Sequence, residues 1–215
     1  MTLPAWVPSA ERKPAPAPLL LVQSFVNTRD LDLGTDLLAD PGPANEWLHR
    51  SGLLAPPDNA GPLDLRAARD AREGIRAMLA SNSGGPEPAA GDLRPLAAVA
   101  RQTQLGLVIS PAGRVQLDPR PHGRLAGGLA SLLLIIRDAQ QDGTWARLKI
   151  CRNADCQWAF YDRSHTRQGA WCDMAACGNL IKNRNLRARR ARQPSPARQL
   201  PAIGEPSPPK SASRR

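Results

Sequence analysis

All four cysteines of the chain fall between residues 151 and 177, as two Cys-x4-Cys pairs, Cys151/Cys156 and Cys172/Cys177, separated by fifteen residues. A short gap within a pair lets a tight turn aim two sulfurs at one point, and a connector of this length can bring the second pair to the same point. Four thiolates make a closed tetrahedral shell that suits one Zn2+ and leaves no open position for catalysis. Two disulfides would need an oxidising compartment. A dithiol redox centre more often presents Cys-x-x-Cys in a thioredoxin-like setting. Iron–sulfur ligation uses the same ligand set, but the two even pairs favour zinc. Gly178, directly after Cys177, fits a turn whose backbone passes close to the metal. His165, between the pairs, could stand in as a ligand, but reads as a solvated loop residue.

The segment around the cysteines is too short to bury much apolar surface and by composition needs a staple. It holds five of the eight aromatic residues of the chain, Trp145, Trp158, Phe160, Tyr161 and Trp171, which read as packing around the metal. Asp162, Ser164 and His165 have the residue types of a catalytic triad, yet residues so close in sequence rarely reach its geometry. They read as the loop joining two metal knuckles, with no catalytic residue among them.

Upstream, the pattern is mostly helical. Apolar residues recur every three or four positions between Leu63 and Leu79 (Leu65, Ala68, Ala71, Ile75, Met78, Leu79), with Glu and Arg on most other faces. A shorter helix fits Ala44 to His49, stopped by Ser51-Gly52, and Asp92 reads as the cap of another through Arg101. LGLVIS and RVQLD around PAG predict a β-hairpin over 105–118. A broad stripe of Leu125, Leu129, Leu132, Leu133 and Ile136 predicts a buried helix over 122–140. The run over 19–30 fits strand or helix equally.

The expected fold is therefore α+β. A Pro/Ala-rich disordered leader (1–18) precedes a mostly helical domain with one β-hairpin (19–142). A small zinc-stabilised C-terminal module (145–192) and a disordered Pro/Ser-rich tail (193–215) follow.

The net charge of +10 is unevenly placed. Residues 178–215 carry ten Lys/Arg and one Glu, whereas residues 1–177 carry 19 basic and 18 acidic residues. A basic end on a near-neutral body points to a polyanionic partner for that end. The segment after Cys177 favours helix between Asn179, read as its N-cap, and Pro194. Its basic residues, Lys182, Arg184, Arg187, Arg189, Arg190 and Arg192, fall all around the helix and leave no apolar stripe. An interfacial membrane helix needs such a stripe, whereas a helix among phosphates does not. Arg163 and Arg167 extend the basic surface. DNA is the expected partner, with RNA, in a ribosome-associated protein, as the alternative. No basic-then-apolar leader pattern appears, and the longest apolar run, residues 129–136, is too short to span a bilayer, so no membrane insertion and a cytoplasmic, nucleoid-associated location are expected.

CRNADC, WAFYDRS and WCDMAACGN with the Arg-rich helix that follows resemble the CGNR-type zinc finger of bacterial proteins. SFVNTRD at 24–30 resembles the start of the ABATE domain that precedes this finger in that family. The resemblance implies one zinc ion held by Cys151, Cys156, Cys172 and Cys177. It also implies a DNA-binding finger and an N-terminal domain that senses a ligand or mediates dimerisation, in a stress-responsive transcription regulator. Gly178 and Asn179 match the motif, and Leu180 stands where it has arginine.

Asn27, Thr28 and Arg29, polar residues at the end of an apolar run, are the candidate lining of a small-molecule effector pocket. An enzyme with an N-terminal active site is a third reading. Residues 1–142 offer only His49 and His122 as histidines, no cysteine, no phosphate loop and no paired-carboxylate motif, so no enzymatic activity is expected.

Overall fold

The computed structural model describes residues 3–120 and 124–192. In chain order the elements are α1 (Leu19–Val26), β1 (Arg29–Asp30), β2 (Thr35–Asp36), α2 (Pro41–Ser51), α3 (Pro62–Asn82), α4 (Ala90–Gln102), β3 (Gln104–Ile109), β4 (Val115–Arg120), α5 (Leu125–Gln141), β5 (Leu148–Ile150), β6 (Ala159–Tyr161) and α6 (Asn179–Arg192). The strands form three antiparallel pairs, β1–β2, β3–β4 and β5–β6. In the last pair Leu148 faces Tyr161 and Ile150 faces Ala159. The α+β class and the mostly helical N-terminal part are as expected, and the segment over 19–30 resolves into helix followed by a short strand.

Helix α3 organises the molecule, packing against α1, α2, α4, α5 and β5. It starts where the sequence places its signals: Gly61 is extended, Pro62 occupies the first helical position, and the Asp64 carboxylate accepts the Gly61 N–H at 3.0 Å. Its apolar stripe, Leu65, Ala68, Ala71, Ile75 and Leu79, is at most 1% exposed. Each larger side chain in it contributes about 1.5–3 kcal/mol of burial. The stripe of α5 is buried at Leu125, Leu129, Leu132 and Ile136. A Cβ on Gly128 would lie 1.9 Å from the Leu53 carbonyl oxygen, so glycine lets α5 press onto the turn after α2.

Two expectations are corrected. The leader, expected to be disordered over 1–18, is packed from residue 3 onward: Val7, Glu11 and Ala15 are buried, and the Gln23 side chain accepts the Ala15 N–H at 2.6 Å. Buried anchors and side-chain hydrogen bonds outweigh a composition that favours disorder. Arg72 and Arg76, expected on exposed faces of α3, are 1% and 6% exposed because carboxylates and carbonyls meet them inside. Asp92 caps α4 as expected, from its third residue, where it accepts the Ala89 N–H at 2.9 Å. The tail over 193–215, and the start of the expected helix at 122–123, lie outside the described residues.

One hydrophobic cluster runs from the leader through α1–α5 into Trp145, Leu148, Ile150, Ala159 and Tyr161. The β5–β6 hairpin therefore shares the core of the helical part, and the limit on its own burial is lifted. A second, smaller cluster gathers Cys151, Cys156 and Trp158 with Trp171, Cys172 and Cys177.

Candidate metal centre

Cys151 leaves β5 and Cys156 precedes β6, so the hairpin itself carries the first pair. The turn between them is closed by Asn153, whose carbonyl accepts the N–H groups of Cys156 and Gln157 at 3.0 Å each. Gln157 takes a left-handed φ of 48°, and the Cys151 N–H then reaches the Trp158 carbonyl at 2.9 Å. Cys177 lies in a π-helical turn, Met174–Gly178, that runs directly into α6. The cap of this segment is Asp173, whose carboxylate accepts the Ala175 N–H at 2.7 Å. Asn179, expected as the N-cap, already has helical dihedrals, because the helical path starts before it.

The four Sγ atoms lie within 4.8 Å of one another, with Cys156–Cys172 at 3.7 Å and Cys172–Cys177 at 3.9 Å. A tetrahedron with Zn–S near 2.3 Å requires sulfurs about 3.8 Å apart. A disulfide requires about 2.05 Å, and all four cysteines are free. The set is able to hold one metal ion and suits one Zn2+. The Asn153 side-chain amide approaches the Cys177 sulfur at 3.7 Å. Such donors orient metal-bound thiolates. As thiols, Cys151, Cys156 and Cys172 compete. Hydrogen bonds from Cys156 and Cys172 hold the Cys151 thiol down at about 2, the bond to Cys151 pushes Cys156 up to about 12, and Cys151, Cys156 and burial push Cys172 far above the thiol range. A divalent cation removes that competition by neutralising charge among all four.

Trp158 and Trp171 pack on the cysteines, whereas Trp145 and Tyr161 belong to the main core. A Cβ on Gly178 would meet the Met174 sulfur at 2.5 Å and the Trp171 ring at 3.1 Å, so glycine is needed where α6 leaves the site. The loop between the pairs is organised by Asp162. Burial raises its pKa, but donation by Ser164 and Lys149 outweighs burial and holds the carboxyl well below the usual range. Lys149 pairs with it at 2.9 Å in a buried ion pair. His165 is exposed in this loop and lies outside the four-sulfur cluster.

The centre is tied to the N-terminal part by polar contacts that sequence reading missed. The Asn27 side chain acts as a strand partner for Ala159, donating to its carbonyl at 2.9 Å and accepting its N–H at 2.7 Å. Ser83 does the same for Ile150, at 3.1 and 2.9 Å. Arg76 donates to the Val26 and Gln157 carbonyls, both at 2.9 Å. Glu11 of the leader accepts from Trp158 Nε1 and Asn27 Nδ2 at 3.2 Å each; burial pushes its pKa up. The available signal was Trp6 and Val7, large apolar residues in a Pro-rich leader.

Of the candidate effector residues, Asn27 and Thr28 line a cleft of about 660 Å3 between the leader and the β1–β2 pair. Their side chains are also engaged within the protein, Thr28 by Arg72 at 3.1 Å and by the Phe25 carbonyl at 2.7 Å. Arg29 is exposed, pairs with Glu73 at 3.4 Å and is not part of the cleft. Of the basic candidates, Lys182, Arg184, Arg187, Arg189 and Arg190 are exposed on α6, and Arg192 is its last residue. Arg163 donates to the Pro14 carbonyl at 2.8 Å and lies over the Tyr161 ring, whereas Arg167 is exposed in the loop.

A helical domain joined through a shared core to a four-cysteine, metal-binding finger with a projecting basic helix defines the class: a zinc-finger protein. Residues 20–141, more than half of the chain, match the ABATE family, described as "Putative stress-induced transcription regulator", and the chain belongs to it. Residues 147–190 match the CGNR zinc finger, in the order seen in that architecture. These are families of regulator and zinc-finger type, and they fit a regulatory role. No curated protein matches the chain. No helix among the described residues is long and apolar enough to cross a membrane.

Proposed function

We propose that this protein is a DNA-binding transcription regulator acting in the cytoplasm at the nucleoid. In this reading Cys151, Cys156, Cys172 and Cys177 hold one Zn2+, which fixes the start of α6. The helix places Lys182, Arg184, Arg187, Arg189, Arg190 and Arg192 against phosphates, with Arg167 adding charge from the loop. The N-terminal domain serves as the ligand-sensing or dimerisation unit.

The observation that carries the reading is the state of α6. From Asn179 to Ala191 no residue is buried, the helix holds six basic residues and no acidic one, and it starts at the metal-binding turn. Its one ion pair among the described residues, Arg184 with Asp155, is 3.7 Å long with both partners more than 70% exposed, a pair that contributes little. The four thiolates and one divalent cation sum to negative charge, so attraction to a polyanion has to come from α6 and not from the metal.

Anisotropy titration of duplex DNA and of RNA across a salt series tests this. Six phosphate contacts give a slope of log K against log salt of about −5. A chain ending at Gly178 should retain zinc and lose DNA. A flat salt response, retained affinity in the shortened chain, or a preference for RNA would overturn the reading.

A further inference from the structure

The cleft beneath the leader has a chemistry of its own. Trp6, Trp47 and Trp158 line it, and so do three acidic residues, Asp30, Asp36 and Asp40. Among the described residues no lysine, arginine or histidine lines it. Asp36 is neutralised by Arg72, which grips both its oxygens at 2.6 and 2.7 Å. Asp30 spends one oxygen on the N–H groups of Asp32 and Leu33, at 3.0 Å each. Asp40 precedes α2 without capping it through its side chain. Asp30 and the exposed Asp40 thus border a tryptophan-lined space with no cationic partner in its lining.

Two of the indoles are held by their own N–H groups. Trp47 Nε1 donates to the Trp6 carbonyl at 2.8 Å, and Trp158 Nε1 donates to Glu11 at 3.2 Å. Their N–H groups are used within the protein and both residues are buried, so the part of each that borders the cleft offers a ligand no donor. A ring face attracts a cation, tryptophan most strongly.

We propose that this cleft binds a small organic cation, an ammonium or amidinium group on an aromatic or branched apolar body. The proposal rests on reading the N-terminal domain as a sensing unit and is independent of DNA binding. An anion would meet two carboxylates that lack an ion-pair partner in the lining, and no compensating base. A neutral apolar ligand would strip water from those carboxylates without replacing it. A bare metal ion leaves most of the volume empty, since about 660 Å3 lies within the range of organic-ligand sites. The cleft also reaches the metal centre: Trp158 stands two residues after Cys156, and the leader that forms one wall continues to Glu11 and to Lys13, whose carbonyl accepts the Tyr161 N–H at 2.9 Å. A bound cation therefore braces the leader against the finger.

The test titrates the zinc-loaded full chain, free of DNA, with benzyltrimethylammonium chloride at constant ionic strength, read by tryptophan fluorescence and calorimetry. Phenylacetate and benzyl alcohol serve as anionic and neutral probes of similar size. Saturable quenching by the cation is expected, with neither control binding comparably. Asp40→Asn should weaken the cation about tenfold, the loss of one close charge partner. Trp6→Ala should weaken it at least as much, with Trp6→Phe recovering most of the loss. Equal binding of all three probes, absence of saturable binding, or unchanged affinity in Asp40→Asn would overturn the proposal. None of these results bears on α6, so the DNA reading stands or falls separately.

Discussion

Arg72 shows how much a single side chain can decide in this chain. It lies at 1% exposure in the middle of α3, bonds both oxygens of Asp36, donates to Thr28 at 3.1 Å, and meets Glu73 at 3.0 Å. Removing one partner of such a buried pair costs about 3–5 kcal/mol, because the remaining charge is left without compensation. Burial would raise the pKa of Asp36 and of Glu73, but the arginines outweigh it and both carboxyls are lowered. Lowered carboxyl pKa values confer stability that is present above the ordinary carboxylate range and lost as pH falls below it. Arg72→Ala should therefore be less stable than the parent near pH 7, and the gap should narrow as pH falls through about 4. Urea midpoints of both proteins over that range measure it; a gap independent of pH would refute the ion-pair account. Nothing in the helical periodicity around Arg72 marks it as buried. Its partner Asp36 is thirty-six residues away, and the pairing exists only once the β1–β2 turn has folded over α3.

At the scale of elements, the helices were legible because their apolar spacing and stop signals are local. Pro62 opens α3, Gly52 in the left-handed region (φ 76°) closes α2, and the stripe of α5 faces the core as its spacing predicts. The start of α6 was less legible. The cap is Asp173, six residues before Asn179, because the metal-binding turn is π-helical and continuous with the helix. This placement gives Leu180 a definite setting: it lies in the first turn of α6, 53% exposed, where the family motif has arginine. Leu180→Arg loses little packing there and adds one cation beside the metal centre. It should tighten duplex DNA binding and steepen the salt slope by about one, measured by anisotropy beside the parent chain. An unchanged slope would mean that the first turn of α6 faces away from the phosphates.

For the molecule as a whole, the shared core sets the expected response to metal loss. Leu148, Ile150, Ala159 and Tyr161 pack in the same cluster as α1, α3 and α5, and Asn27, Arg76 and Ser83, in or directly after α1 and α3, hydrogen-bond the hairpin. A finger that stands apart would unfold alone when stripped of metal. Here chelation should lower a single calorimetric transition of the whole chain, by about 10 °C if some 3 kcal/mol is lost. Two separated transitions, with the upper one unmoved by chelator, would show that finger and helical part unfold independently.

What the sequence alone determined is what depends on spacing along the chain. The two Cys-x4-Cys pairs specify a four-sulfur site because the ligands of each pair sit on one turn, and the run of arginines after Cys177 specifies a cationic helix whatever it packs against. Tertiary structure decided the rest, because it concerns groups far apart in sequence. It ordered the leader through Glu11 and Lys13, turned two arginines of α3 inward, and used Asn27 to pair with a strand 132 residues away. It also built the cleft, whose walls come from the leader, the β1–β2 pair, α2 and the finger. Hydrogen bonds and ion pairs of that range carry no local pattern. They become favourable only when burial has removed the competing water.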